Sequence, residues 1–150
     1  MTRIEGETLI GRPPVIVFDF VADQRNEPKF NPRMVRAEMI SDPAIGNGSR
    51  FVVTMKSVGR SADMVIEFTS LERPLRLGSK TRMSWIDIEG GLTFEPHPAG
   101  TLMRWSWEVQ PKRFTRLISP IILRMGTRQE EAIWGNLKRL LEAGDEPQMA

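Results

Sequence analysis

Along residues 3–10, Ile4, Gly6, Thr8 and Ile10 alternate with Arg3, Glu5 and Glu7, the period-2 signature of a strand with one covered face. Pro13-Pro14 then suits the first turn of a helix, where a missing N–H costs nothing, and Val15, Phe18, Val21 and Ala22 follow at helical spacing. Asp23-Gln24-Arg25-Asn26 interrupts that spacing, and Asn26 is placed to cap a second short helical turn ending before Asn31-Pro32. From Val35 the period is two again. Residues 35–41 set Val35, Ala37 and Met39 against Arg36 and Glu38, and the D-P-A-I-G-N-G stretch at 42–48 reads as a loop. Residues 49–58 set Phe51, Val53 and Met55 against Arg50, Thr54 and Lys56, and a turn at Val58-Gly59-Arg60-Ser61 leads to Met64, Ile66 and Phe68 opposite Asp63 and Glu67. Arg73-Pro74 ends that strand. Residues 76–85 set Leu77, Ser79, Thr81 and Met83 against Arg76, Lys80 and Arg82; a turn is expected near Ile86-Asp87. Leu92 and Phe94 then face away from Glu95, His97-Pro98-Ala99-Gly100 reads as a hairpin, and Met103, Trp105, Trp107 and Val109 oppose Arg104 and Glu108.

The last third returns to the helical period. A short helical piece over Phe114–Ile118 precedes Ser119-Pro120, read as N-cap and N1 of a long helix. Its apolar stripe is Ile121, Met125, Ala132, Ile133, Leu137, Leu140 and Leu141, with Gly144 as the stop. A helix over 120–143 spans about 36 Å, enough to cross a domain. Residues 144–150 read as a tail, and the whole of 1–150 as one domain with its core at about 3–143.

Every strand therefore offers one apolar and one charged face, the pattern of an antiparallel sheet covered on one side. The fold class this predicts is α+β: a curved seven-stranded antiparallel sheet wrapped around a long C-terminal helix, with two short helices after the first strand. Specific stretches carry a resemblance as well. P-P-V-I-V-F-D-F-V-A-D (13–23) with P-K-F-N-P (28–32), I-G-N-G-S-R-F (45–51), F-E-P-H-P-A-G-T-L-M-R-W (94–105) and N-L-K-R-L-L-E (136–142) resemble the START-like (SRPBCC) superfamily. Its helix-grip members include birch-pollen-allergen proteins and the polyketide cyclase/dehydrase-like family. The resemblance runs over residues 3–143, with Phe30 where Trp is common.

That resemblance implies a cavity between the concave face of the sheet and the long helix. The inward positions then become its expected walls: Phe30, Met55, Ile66, Phe68, Ser79, Thr81, Met83, Trp85, Phe94, Trp105, Trp107 and Met125. Methionine adapts to varied apolar shapes, and tryptophan adds large area with one N–H donor. Gly126 leaves room for a ligand or for close sheet packing. Large inward side chains also fill ordinary cores, so alternation by itself leaves the choice between a lined cavity and a packed interior open.

Composition narrows the chemistry. A chain of 150 residues buries roughly 68–70% of its unfolded surface without staples. With no Cys, one His and no Tyr, thiol nucleophiles, Cys-ligated metals and multi-imidazole zinc sites are excluded. No metal or cofactor is expected, and no catalytic residue is assigned. His97 falls at a hairpin tip, Asp19 and Asp23 near the first helix, and the remaining acids mostly on outward faces. No P-loop, dinucleotide fingerprint, nucleophile elbow or nucleic-acid module is present. No signal peptide or membrane-spanning run is visible either, so a cytoplasmic monomer or homodimer is expected.

Net charge is +2, but residues 112–139 hold seven cations against two anions, Glu130 and Glu131. That region reads as the wet side of an amphipathic helix. The leading functional expectation is binding of a small hydrophobic or amphipathic molecule such as a lipid, polyketide or aromatic metabolite. The alternatives are a polyketide cyclase/dehydratase-like enzyme and a protein-interaction or membrane-surface module built on the basic helix.

Overall fold

The computed structural model describes residues 2–57, 59–83, 86–111 and 119–144. Strand β1 (Thr2–Ile10) is followed by helix α1 (Pro14–Ala22) and a 3-10 helix (Gln24–Lys29). Strands β2 (Met34–Met39), β3 (Arg50–Ser57), β4 (Arg60–Glu72), β5 (Arg76–Arg82), β6 (Ile86–His97) and β7 (Gly100–Pro111) then form a meander, and helix α2 (Ser119–Ala143) ends it. All seven strands make one antiparallel sheet in the order β1-β7-β6-β5-β4-β3-β2, so the first strand pairs with the last. This is the helix-grip arrangement the alternation predicts. No helix is long and apolar enough to cross a membrane among the described residues.

Two local expectations change. The chain is already in β6 at Ile86, where a turn was expected. The 3-10 helix is capped by Asp23, whose carboxylate accepts from Arg25 N at 3.0 Å; Asn26 instead donates its amide to Phe20 O. The short helix expected at 114–118 lies outside the described residues.

Inward residues of the strands build the main core: Phe51, Val53, Phe68, Leu77, Leu92, Phe94, Met103 and Trp105 are buried. Helix α1 closes one end of it, with Phe18 packed edge-on to Phe94 at 5.2 Å between ring centroids. Trp105 fits because residue 6 has no side chain: a Cβ there would lie 2.3 Å from the indole Cζ2.

Helix α2 lies along β1. A Cβ on Gly126 would meet Ile4 Cδ1 at 2.5 Å, so this glycine serves close sheet packing. Farther on, Lys138 Nζ donates to Leu9 O at 2.6 Å, Arg12 Nε donates to Leu141 O at 2.8 Å, and Glu142 accepts from Gly11 N at 2.8 Å. The end of β1 and the loop after it thus tie down the last turns of the helix, and Arg12 supplies a donor to one of its terminal C=O groups.

The buried face of α2 keeps Ile133, Leu137 and Leu141 of the expected stripe but differs from it at other positions. Gly126, Ile133, Trp134, Leu137 and Leu141 face the sheet, whereas Ala132 is exposed and Met125 is 51% exposed. Met125 is therefore not a wall of the interior. It sits one residue, about 100° around the helix, from the glycine that touches β1.

Candidate functional site

The inner surface is not uniformly buried. Near the β6–β7 hairpin the inward residues are sealed. Toward the opposite strand ends, where β3 passes to β4, Met55, Met64, Ile66, Thr81, Met83 and Trp107 point inward yet keep part of their surface accessible. A second small cluster of Ile4, Ile86 and Val109 lies at that end, with Met83 and Trp107 against it. Trp107 touches both clusters, and Met55, Met64 and Ile66 border the main one. The interior is thus packed solid at one end and apolar but accessible at the other.

Above Trp107 stands a carboxyl that the helical stripe carries inward. Glu130 accepts from Trp107 Nε1 at 2.6 Å and from Trp134 Nε1, one turn along α2, at 3.0 Å. Trp134 in turn lies 5.8 Å from the Phe30 ring and 6.1 Å from Trp105, and Asn136 donates to Phe30 O at 3.0 Å. Burial raises the Glu130 pKa, and the two indole bonds oppose that rise.

A second carboxyl comes from the 3-10 helix. Glu27 accepts from the amide of the buried Asn31 at 2.8 Å, and Asn31 Oδ1 accepts from Arg33 N at 3.1 Å. Desolvation pushes the Glu27 pKa up to about 7; the Asn31 bond lowers it and the charge of nearby Glu130 raises it further. One 3-10 turn before Glu27, on the same face, Gln24 is only 7% exposed and its buried Oε1 has no hydrogen-bond partner. In the amide orientation that satisfies both residues, Gln129 accepts from the Arg33 guanidinium at 3.2 and 3.3 Å. Two carboxyls close enough to act on each other thus stand beside Trp107 and Trp134, with the Gln24 amide one turn away on the face of the 3-10 helix that carries Glu27. A carboxyl with a pKa near 7 accepts a hydrogen bond when ionised and donates one when protonated, both within the neutral range.

The expected wall residues fall into distinct groups. Met55, Ile66, Thr81, Met83 and Trp107 lie at the accessible end. Phe30, Trp105 and buried Ser79 lie deeper, and Phe68 and Phe94 are packed into the solid core against Phe51 and Phe18. Met125 is outside, and Trp85 lies outside the described residues. The alternation misses Glu27, Glu130, Trp134 and Gln24: Glu130 reads as part of the wet side of the basic helix, Gln24 as part of the break after the first helix, and Glu27 and Trp134 fall on no expected inward face. One signal was available: the i, i+4 spacing of Gly126, Glu130 and Trp134 sets an acid inside the stripe that docks on the sheet. Asp19 and Asp23 pair with Arg73 and Arg25 at the surface, and exposed His97 accepts from Ala99 N at 3.0 Å. On the convex face, clefts are shallow and lined by charged side chains such as Lys80, Arg82, Asp87 and Glu89.

Comparison with known proteins places this geometry. Residues 1–142 match the family described as polyketide cyclase/dehydrase and lipid transport. No match was found among curated proteins. Among solved structures, the chain is similar to TTHA0849 of Thermus thermophilus, with a TM-score of 0.81 and 16% identity over 97% of this chain and 100% of that one. A START superfamily protein of Mycobacterium smegmatis aligns with a TM-score of 0.80 at 14% identity, covering 94% of this chain and 97% of the other. The Zhui aromatase/cyclase of a Streptomyces species aligns with a TM-score of 0.73 at 13% identity, covering 95% and 98%. At these identities the structures establish the shared fold, and the sequence match supplies the kinship: the chain belongs to the polyketide cyclase/dehydrase and lipid transport family.

Proposed function

We propose that the protein binds a small hydrophobic or amphipathic molecule between the concave face of the sheet and α2. The observation that carries this reading is the run of inward apolar side chains, Met55, Met64, Ile66, Met83 and Trp107, that remain accessible beside a sealed core. Accessible apolar area of this kind is worth roughly 25 cal/mol per Å² when it is removed from water. A ligand covering them recovers that free energy. Membership in a family of cyclases and lipid transporters supports the same reading, because both handle apolar molecules.

The test is titration with the neutral fluorophore N-phenyl-1-naphthylamine, read by its emission and by quenching of the tryptophans. Saturable one-to-one binding is expected, weakened at least ~10-fold (about 1.4 kcal/mol) in Ile66→Trp, which fills the accessible end. Binding that does not saturate, or that ignores Ile66→Trp while circular dichroism shows an intact fold, contradicts the proposal.

A second reading is a cyclase/dehydratase, favoured by one observation: Glu27, with its pKa near 7, is suited to exchange protons with a bound substrate. It requires turnover of a polyketide-like substrate that Glu27→Gln abolishes while His97→Ala leaves it intact. Binding without product in such a panel selects the carrier.

A further inference from the structure

Several acids of the described surface pair with cations. Asp19 pairs with Arg73, Asp23 with Arg25, Glu38 with Arg36, Glu108 with Arg3, and Glu7 and Glu95 both with Arg104. Glu27 and Glu130 take part in no such pair although both are desolvated by burial. Each has only neutral donors, Asn31 for one and two indoles for the other, and among the described residues no Lys or Arg lies within ion-pair distance of either. The cations nearest Glu27 in the chain are engaged elsewhere: Arg25 pairs with Asp23, Lys29 donates to Asn26 Oδ1 at 3.1 Å, and the Arg33 guanidinium is engaged by Gln129 on α2. Gln24 adds a third acceptor with its unpartnered, buried Oε1 on the face of the 3-10 helix that carries Glu27. The polar end of the site is therefore rich in acceptors and short of both donors and positive charge.

A buried acceptor without a partner carries a desolvation penalty, and a buried carboxylate a larger one, so the chemistry that completes such a site is a donor carrying positive charge. A fatty-acid carboxylate or a chain of carbonyls brings further acceptors against those already present. A primary ammonium brings three N–H donors and one charge.

We propose that the ligand of this site is a cationic amphiphile, a protonated amine on an apolar body, with its ammonium held by Glu27, Glu130 and Gln24 and its apolar body on the accessible inner face of β3–β7. The proposal rests on the ligand-binding reading above and adds the chemical class.

Three probes with the same ten-carbon chain, n-decylamine, decanol and decanoate, separate the two claims at pH 8 and below their micellar concentrations. Each is measured by displacement of N-phenyl-1-naphthylamine. Decylamine is expected to bind at least ~10-fold more tightly than decanol, with decanoate weakest. The net charge of +2 biases unspecific attraction toward decanoate, so this order cannot arise from overall charge. Glu27→Gln and Glu130→Gln, each replacing a carboxyl by an amide of the same shape, are expected to erase the advantage of decylamine while leaving decanol within about twofold. If decanol or decanoate binds the wild-type protein as tightly as decylamine, or the variants keep the preference, the amine assignment is overturned and the apolar site stands. If none of the three displaces the fluorophore, the ligand-binding reading itself fails.

Discussion

At residue 6 the sheet depends on the absence of a side chain. The Trp105 indole occupies the space a Cβ would need, at 2.3 Å from Cζ2 and 2.6 Å from Cε2. The obstructing atoms belong to a rigid ring held in the core beside Trp134, so relief requires moving β1, β7 or the indole. Gly6→Ala is expected to lower stability by ~1–3 kcal/mol, the usual cost of overpacking, measured by urea denaturation. Gly126→Ala is the control: the obstructing atom is the free end of Ile4, and alanine adds roughly 0.8–1 kcal/mol of helix propensity, so the change should be small. Residue type also explains what alternation could not read. Glu27 and Glu130 are polar letters in a pattern that sorts polar from apolar; the i, i+4 spacing with Gly126 and Trp134 is the one local mark of Glu130, which bonds two indoles, and Glu27 carries none.

Among elements, the strands were legible because each has one dry face, and inward positions such as Val53, Phe68, Leu92 and Met103 follow directly from period two. The face of α2 was less so. Helical periodicity admits neighbouring stripes 100° apart, and what selects between Met125 and Gly126 is the position of Ile4 on β1, a tertiary fact. The C-terminal half of α2 is tied to the loop after β1 by Arg12, Lys138 and Glu142. Arg12→Ala removes a part-buried charged donor from Leu141 O, and a loss of ~1.5–3 kcal/mol is expected. Amide hydrogen exchange should localise it, with faster exchange over the last turn of α2 and little change in β4 and β5.

For the molecule as a whole, the buried carboxyls set a pH dependence. Glu27 titrates near 7 in the folded protein against a reference of 4.5, so the folded state holds the proton more tightly. Between those values the native protein binds more protons than the unfolded chain, and stability falls as pH rises through this window. Part of Glu27 remains solvent-accessible, which moderates the effect to on the order of 1–3 kcal/mol between pH 5 and 8. Urea denaturation across that range should show the decline, and Glu27→Gln should flatten it and be the more stable protein at pH 8. A stability that rises from pH 5 to 8 would contradict the burial of this carboxyl. The lowered pKa of Glu142, held by Lys138 and Gly11 N, acts in the opposite sense but at lower pH, below 4.5.

The pairing of β1 with β7 also orders events in time. Thr2 meets Val109 and Ile10 meets Thr101, so the first strand made is among the last to find its neighbour. On the ribosome β1 waits through the synthesis of five other strands, and the helix that covers it is made later still. The meander β2–β7 assembles from contacts between successive strands, whereas closing the sheet spans nearly the whole chain and pays the entropy of its largest loop. The nascent protein therefore carries a free edge on β7 that β1 is shaped to fill, and β1 of a second copy would fit it equally well.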